Sequence, residues 1–185
     1  MDAPATLDTL SAALHFLAGD VCLQVGKDTL DKCNPIALNT TSEIQDSEAA
    51  LCTWRCKDAH FFTLFKSDDA TLIYSHTNEM LYHASMQAQL APICPKDVAF
   101  LCQFTFDSMP EGRVPRLLVF DVLCPSPPVH RGEILRSMQC LPPICCVQWI
   151  GFSTYLSQDF FKALPHAISG ILVLQTNPLH LNVVE

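Results

Sequence analysis

Leu51-Cys52-Thr53-Trp54-Arg55-Cys56-Lys57-Asp58-Ala59-His60-Phe61-Phe62-Thr63-Leu64-Phe65 is the stretch on which the fold turns. Its two halves are short runs rich in aromatic and β-branched residues, side chains that suit a pleated, half-buried surface. Two similar runs follow, Thr71-Leu72-Ile73-Tyr74-Ser75 and Glu79-Met80-Leu81-Tyr82-His83. The polar breaks Lys66-Ser67-Asp68-Asp69 and His76-Thr77-Asn78 separate the later runs, which is the grammar of an antiparallel meander.

Upstream of the meander, Thr6–Leu17 places Leu7, Leu10, Leu14 and Leu17 at helical spacing. Thr6 or Asp8 can cap its start, and Gly19 stands where it should end. Residues 20–50 are mixed and polar, with a turn at Asn34-Pro35 and a short helix expected over Thr41–Ala50. Downstream, Val98–Phe106 and Arg116–Leu123 read as strands joined by the turn-like Met109-Pro110-Glu111-Gly112. Leu117-Leu118-Val119-Phe120 is apolar on both faces and reads as central. After Pro125-Ser126-Pro127-Pro128 come a helix over Arg131–Gln139, a strand over Cys145–Ile150, a helix over Ser157–Leu164 and a strand over Ile168–Leu174. The fold class is α+β, with mostly antiparallel sheets and flanking helices. The 185 residues read as one domain, 1–32 being a helix and lead-in to a core over 33–181.

Composition narrows the function classes. The chain is 49% hydrophobic and 16% charged, with mean hydropathy +0.22, enough apolar residue for a sizeable core. A net charge of -8 leaves little from which to build the basic face that non-specific nucleic-acid binding needs. The six glycines, at 19, 26, 112, 132, 151 and 170, are too far apart for a P-loop or a dinucleotide fingerprint. The acidic start Met1-Asp2-Ala3-Pro4 has no signal-peptide pattern, so the ten cysteines read as reduced thiols of an intracellular protein, nuclear or cytoplasmic. The uncharged stretches 137–158 and 163–184 contain prolines, amides and hydroxyls and read as buried strands and loops, not membrane spans.

Four segments, in order, resemble a known family. Thr53-Trp54-Arg55-Cys56-Lys57-Asp58-Ala59-His60-Phe61-Phe62 is similar to the Thr-Trp-Lys-x-Asp-Gly-x-Arg approach of cellular mRNA capping guanylyltransferases, within the covalent nucleotidyltransferases that include DNA and RNA ligases. Asn34-Pro35-Ile36-Ala37-Leu38 looks like the family's Gln-Pro-Val-Ser-Leu segment. Pro115-Arg116, an apolar run and Phe120-Asp121 follow as its Pro-Arg and aromatic-Asp elements do. Pro165-His166-Ala167-Ile168-Ser169-Gly170-Ile171-Leu172 resembles Pro-His-x-x-Asp-Gly-Leu-Ile. The resemblance implies a nucleotidyltransferase-type domain without the OB-fold that usually follows.

The departures imply that catalysis has been lost. The family nucleophile is a lysine whose free amine attacks an α-phosphate. Arg55 stands in its place, and a guanidinium is a very poor nucleophile. Lys57 replaces the motif's Asp, Asp58 its Gly, and His60 its Arg; Ser169 replaces the Asp before Gly170, and the family's Asp-Gly-Glu element and lysine-rich final motif are missing. Lys66-Ser67-Asp68-Asp69 is no substitute nucleophile motif, since it ends in Asp where the family has Gly and reads as a solvated turn.

No residue is therefore expected to be catalytic, and no metal or cofactor is implied. The nucleotide- or cap-binding candidates are Arg55, Lys57, His60, Phe120 and Ser169. Arg55 reads either as a phosphate ligand or as a strand-end surface residue. Phe120 reads either as a platform for a base or as core packing. His60, beside two phenylalanines, reads as a ligand contact or a structural residue, and Asp121 as a group that closes a turn or binds a neighbouring backbone N–H. Cys52, Cys56 and His60 stand four apart, but on a strand they span about 13 Å, too far for tetrahedral zinc. The expected function is a silent guanylyltransferase-like domain that binds a guanine nucleotide or RNA 5′ cap, for which the snurportin cap-binding domain looks like a precedent. A pseudoenzyme that acts as a protein-interaction module in RNA processing is the alternative, and residual guanylyltransferase activity a third.

Overall fold

The computed structural model of the chain describes residues 3–23, 36–41, 51–66, 71–85, 99–124, 126–137, 143–151 and 158–184. Helix α1 (Ala3–Leu17) is followed by β1 (Ala18–Leu23) and β2 (Ala37–Thr41). The strands β3 (Leu51–Cys56), β4 (His60–Lys66), β5 (Thr71–Ser75) and β6 (Met80–Ala84) come next. A long hairpin, β7 (Ala99–Met109) and β8 (Gly112–Val122), leads to α2 (Pro128–Arg136). The chain ends with β9 (Cys145–Val147), β10 (Ile150–Gly151), the short α3 (Gln158–Lys162), β11 (Ile168–Leu174) and β12 (His180–Val184). The α+β reading holds at this level.

The strands form two sheets, in the orders β1-β6-β5-β4-β7-β8-β9 and β10-β3-β11-β12-β2. Pairing is antiparallel throughout except for β8 with β9 and β12 with β2. Alternation along the strands sorts side chains between two interiors. Phe62, Leu64, Phe100, Phe104 and Leu117 of the larger sheet pack with Leu10, Ala13 and Leu17 of α1. Phe61, Leu101 and Phe120 point the other way, onto Leu172, Leu174, Leu181 and Val183 of the smaller sheet. Phe61 and Phe62, adjacent in sequence, thus serve different cores.

The strand boundaries in the 51–84 region follow the sequence reading closely, but the expected four-run meander does not form. Strand β3 leaves it and pairs with β11 and β10 in the smaller sheet, so only β4, β5 and β6 make the meander. The chain changes sheets at Lys57-Asp58, where Asp58 takes φ 56°, a left-handed conformation that short polar side chains tolerate. The expected single strand over Cys145–Ile150 is likewise divided: β9 joins the larger sheet and β10 the smaller, with buried Gln148 between them. Helix α2 starts three residues earlier than expected because Pro128 sits in its first turn, where the missing N–H costs nothing. Strands β1, β2 and β12 carry too little alternation to be read from sequence. The expected features at Asn34-Pro35, residues 42–50 and residues 67–70 lie outside the described residues.

Both long-range sheet contacts near the front of the molecule use irregular backbone. In β11, register slips between Ile168 and Gly170, leaving Ser169 without a cross-strand partner. A Cβ on Gly170 would stand 2.7 Å from the Val184 carbonyl, so only glycine lets β12 come this close. In β8, register slips opposite Leu101 and Cys102, leaving Phe120 as the unpaired residue. Among the described residues, no helix is long and apolar enough to cross a membrane.

Candidate functional site

A cleft of about 210 Å³ opens where the chain crosses between the sheets. Lys57 and Asp58 of the crossover turn, His60 of β4 and Arg113 of β8 line it, with Thr9 of α1, Phe104, Thr105, Phe106 and Ser108 of β7, and Ala167 just before β11. Main-chain bonds hold these walls together: the Lys57 N–H donates to the Ala167 carbonyl at 2.9 Å, and the Ser108 N–H to the Pro165 carbonyl at 2.6 Å. A shallower depression of about 470 Å³ shares Ser108 and Ala167 and runs along Phe161, Leu164 and Pro165.

The cleft has a fixed back and a charged mouth. His60 is buried, with Nε2 2.9 Å from the Thr9 hydroxyl and Nδ1 2.9 Å from the Thr77 hydroxyl. Those contacts fix the ring between α1 and the β5–β6 turn. Lys57, Asp58 and Arg113 are exposed. The Arg113 guanidinium lies 4.3 Å from the centre of the Phe106 ring, a cation–π contact. Phe106 meets Phe104 edge-to-face at 5.2 Å, and Phe16 lies behind both. The wall is therefore aromatic, capped by a cation.

The five residues expected from sequence do not form one constellation. Lys57 and His60 line the cleft. Arg55 and Ser169 are neighbours at the β3–β11 edge, where the Ser169 hydroxyl donates to the Arg55 carbonyl at 3.4 Å, but neither lines the cleft. Phe120 has no exposed surface: like Leu118 two residues before it, it points between the sheets, where it meets Phe61 edge-to-face at 5.8 Å. It offers no face to a base in this conformation. Arg113 and Phe106, which the sequence reading did not single out, take the places of exposed cation and aromatic wall. Their spacing along two facing strands of one hairpin, across Met109–Gly112, was the only signal available.

Behind the cleft, the segments that carry the family resemblance are joined by a buried polar chain. The Trp54 indole N–H donates to His166 Nε2 at 2.9 Å, and His166 Nδ1 lies 2.8 Å from Asp107 Oδ1. Because an indole only donates, Nε2 must accept, so the proton is on Nδ1 and is donated to Asp107. Arg116 Nε donates to Asp107 Oδ2 at 2.9 Å and Nη1 to the Pro143 carbonyl at 2.7 Å. Gln103 bridges the sheets as well, accepting from the Cys56 N–H at 2.9 Å and donating to the Trp54 carbonyl at 2.6 Å. Trp54, His166, Asp107 and Gln103 are all bonded to other protein groups here, which suits structure more than chemistry.

Four of the described thiols are poor nucleophiles. Burial pushes Cys52 and Cys146 up to about 11, and Cys56 and Cys102 higher still, so all four are neutral thiols. Cys52 and Cys56 lie on β3 while His60 belongs to β4 and is held by Thr9 and Thr77. Among the described residues, no group of three potential ligands is placed to hold a metal ion. Asp121 accepts from the Val122 N–H at 2.8 Å and pairs with buried Arg131, the structural role the sequence allowed it. The chain matches no family model and no curated protein.

Proposed function

We propose that this chain is a catalytically silent guanylyltransferase-like domain that binds a guanine nucleotide or RNA 5′ cap in the cleft between Lys57 and Arg113. The observation that carries the reading is the cleft itself. It joins two residues of the motif-like stretch, Lys57 and His60, to an aromatic wall and a second cation. Small-molecule sites have this character, a concave apolar surface with a few convergent polar groups. Two cations at the mouth favour phosphate, and an aromatic or guanidinium face favours a base. Support for the wider family likeness comes from Trp54, Arg116 and His166, which lie in three of the similar segments and meet through Asp107. Arg55, in the nucleophile's place, argues against covalent transfer.

Thermal shift with GTP, GpppG, m7GpppG and trimethylated cap tests the reading. A ligand present at about 100 times its Kd should add about 2.7 kcal/mol of stability. Incubation with radiolabelled GTP and Mg²⁺ or Mn²⁺ should leave no covalent band after denaturing electrophoresis. If none of the four ligands shifts the transition, the interaction-module reading takes over. That second reading has its own support in the tip of the β7–β8 hairpin, where Met109 and Val114 are 44% and 37% exposed.

A further inference from the structure

We infer that the cleft selects a polyphosphorylated guanine nucleotide whose base is uncharged, and discriminates against the N7-methylated, cationic base of a mature cap. The inference rests on the nucleotide-binding reading above and deepens it. It turns on where Arg113 sits. Its guanidinium lies over the Phe106 ring, 4.3 Å from the centre, and both residues line the cleft, while Phe104 and Phe16 pack around the same ring. A base entering against this wall meets a cation first.

For a neutral purine that surface is favourable, because a guanidinium plane stacks on a π-face and adds a cation–π term. A 7-methylated guanine carries a full positive charge in the same ring. Electron-rich aromatic faces are what make cationic rings bind well, and here the Phe106 face already holds its cation. The methylated base would lie against a like charge. Lys57 and Asp58, neighbours on the crossover turn and both in the lining, carry opposite charges that offset one another. Arg113 occupies the stacking surface itself, so its charge decides.

GTP and 7-methyl-GTP carry the same triphosphate, so the ratio of their affinities reads the base alone. Titration calorimetry of the whole chain in mildly acidic buffer, where the methylated base is cationic, should give GTP an advantage of about tenfold, the equivalent of about 1.4 kcal/mol. Arg113→Gln removes the charge and the guanidinium plane while keeping a polar side chain, and should bring the two ligands to within about threefold, roughly half that difference. Arg113→Lys should keep most of the gap. Arg113 is exposed on a hairpin, and matching melting temperatures of the three proteins will establish that the fold is unchanged. Equal or tighter binding of 7-methyl-GTP by the wild type overturns the selectivity and leaves the nucleotide-binding reading intact. A gap that persists in Arg113→Gln overturns the role of Arg113. Binding of neither ligand removes both this inference and the reading beneath it.

Discussion

Arg131 and Asp121 form an ion pair with Nε 2.6 Å from Oδ1, and their side chains are 0% and 1% exposed. All five guanidinium hydrogens are used. Nε and Nη2 fork onto the carboxylate, Nη2 also reaches the Gln175 carbonyl at 2.5 Å, and Nη1 serves the carbonyls of Thr176, at 3.0 Å, and Ser126. One side chain of α2 thus ties β8 of the larger sheet to the β11–β12 connection of the smaller. Burial pushes the Asp121 carboxyl up from its ordinary range, against the opposing pull of Arg131 and the Val122 N–H.

Breaking this pair from either side should be costly, because the remaining charge stays buried. Asp121→Ala or Arg131→Ala is expected to lose about 3–5 kcal/mol, measured by urea unfolding. The double variant should lose clearly less than the sum of the two, since the partners share one interaction. Additive losses would mean that the pair is not coupled as its geometry requires.

His166→Phe keeps a ring in place but strips the Trp54 indole and Asp107 of their buried partner. Each group left unsatisfied costs about 1–3 kcal/mol, so a loss of about 2–4 kcal/mol is expected. Because the chain lies behind the cleft wall, nucleotide affinity of the folded variant should fall less than its stability. Equilibrium unfolding and calorimetry on the same sample separate the two effects.

Phe120 decides between core and platform. Truncating a fully buried phenylalanine to alanine should cost about 3–5 kcal/mol and leave the affinity of the folded fraction for GTP unchanged. A variant that keeps its melting temperature and loses nucleotide would restore Phe120 to the ligand site.

His76 gives the fold an acid-sensitive point. Its Nε2 lies 2.6 Å from the Thr63 hydroxyl, its Nδ1 is buried without a partner, and burial lowers its pKa to about 4. In the unfolded chain the ring titrates near 6.5, so below that pH the unfolded state takes up a proton that the folded state refuses. Stability from this group is complete above about 6.5 and is lost as pH falls towards 4, to a total of about 3 kcal/mol. Urea midpoints at a series of pH values should show His76→Gln losing less stability than the wild type across that window. Parallel curves for the two proteins would mean that His76 takes up its proton as readily in the fold as in the unfolded chain.

The sequence determined the local elements of this protein wherever one physical rule acted alone. Leucines at helical spacing made α1, and the aromatic runs made β3 to β6 within a residue or two of their expected ends. The turn at Pro110-Glu111 and the largely apolar Ile168–Leu174 strand were equally legible. It also brought forward Lys57 and His60, which the fold sets in the crossover turn and at the start of β4, both on the cleft. Tertiary structure decided which sheet each strand joined and which face each side chain met. Trp54 and Phe61 look alike as members of strand-like runs, yet a left-handed Asp58 between them sends their strands to different sheets. A one-residue slip in β8 brings Val122 onto the same face as Val119, against α1, and alternation by twos cannot foresee a slip, because it reverses the face of every residue beyond it. Arg113 met Phe106 only because the hairpin closed in one register, so the cation on the aromatic wall belongs to the fold and not to any motif.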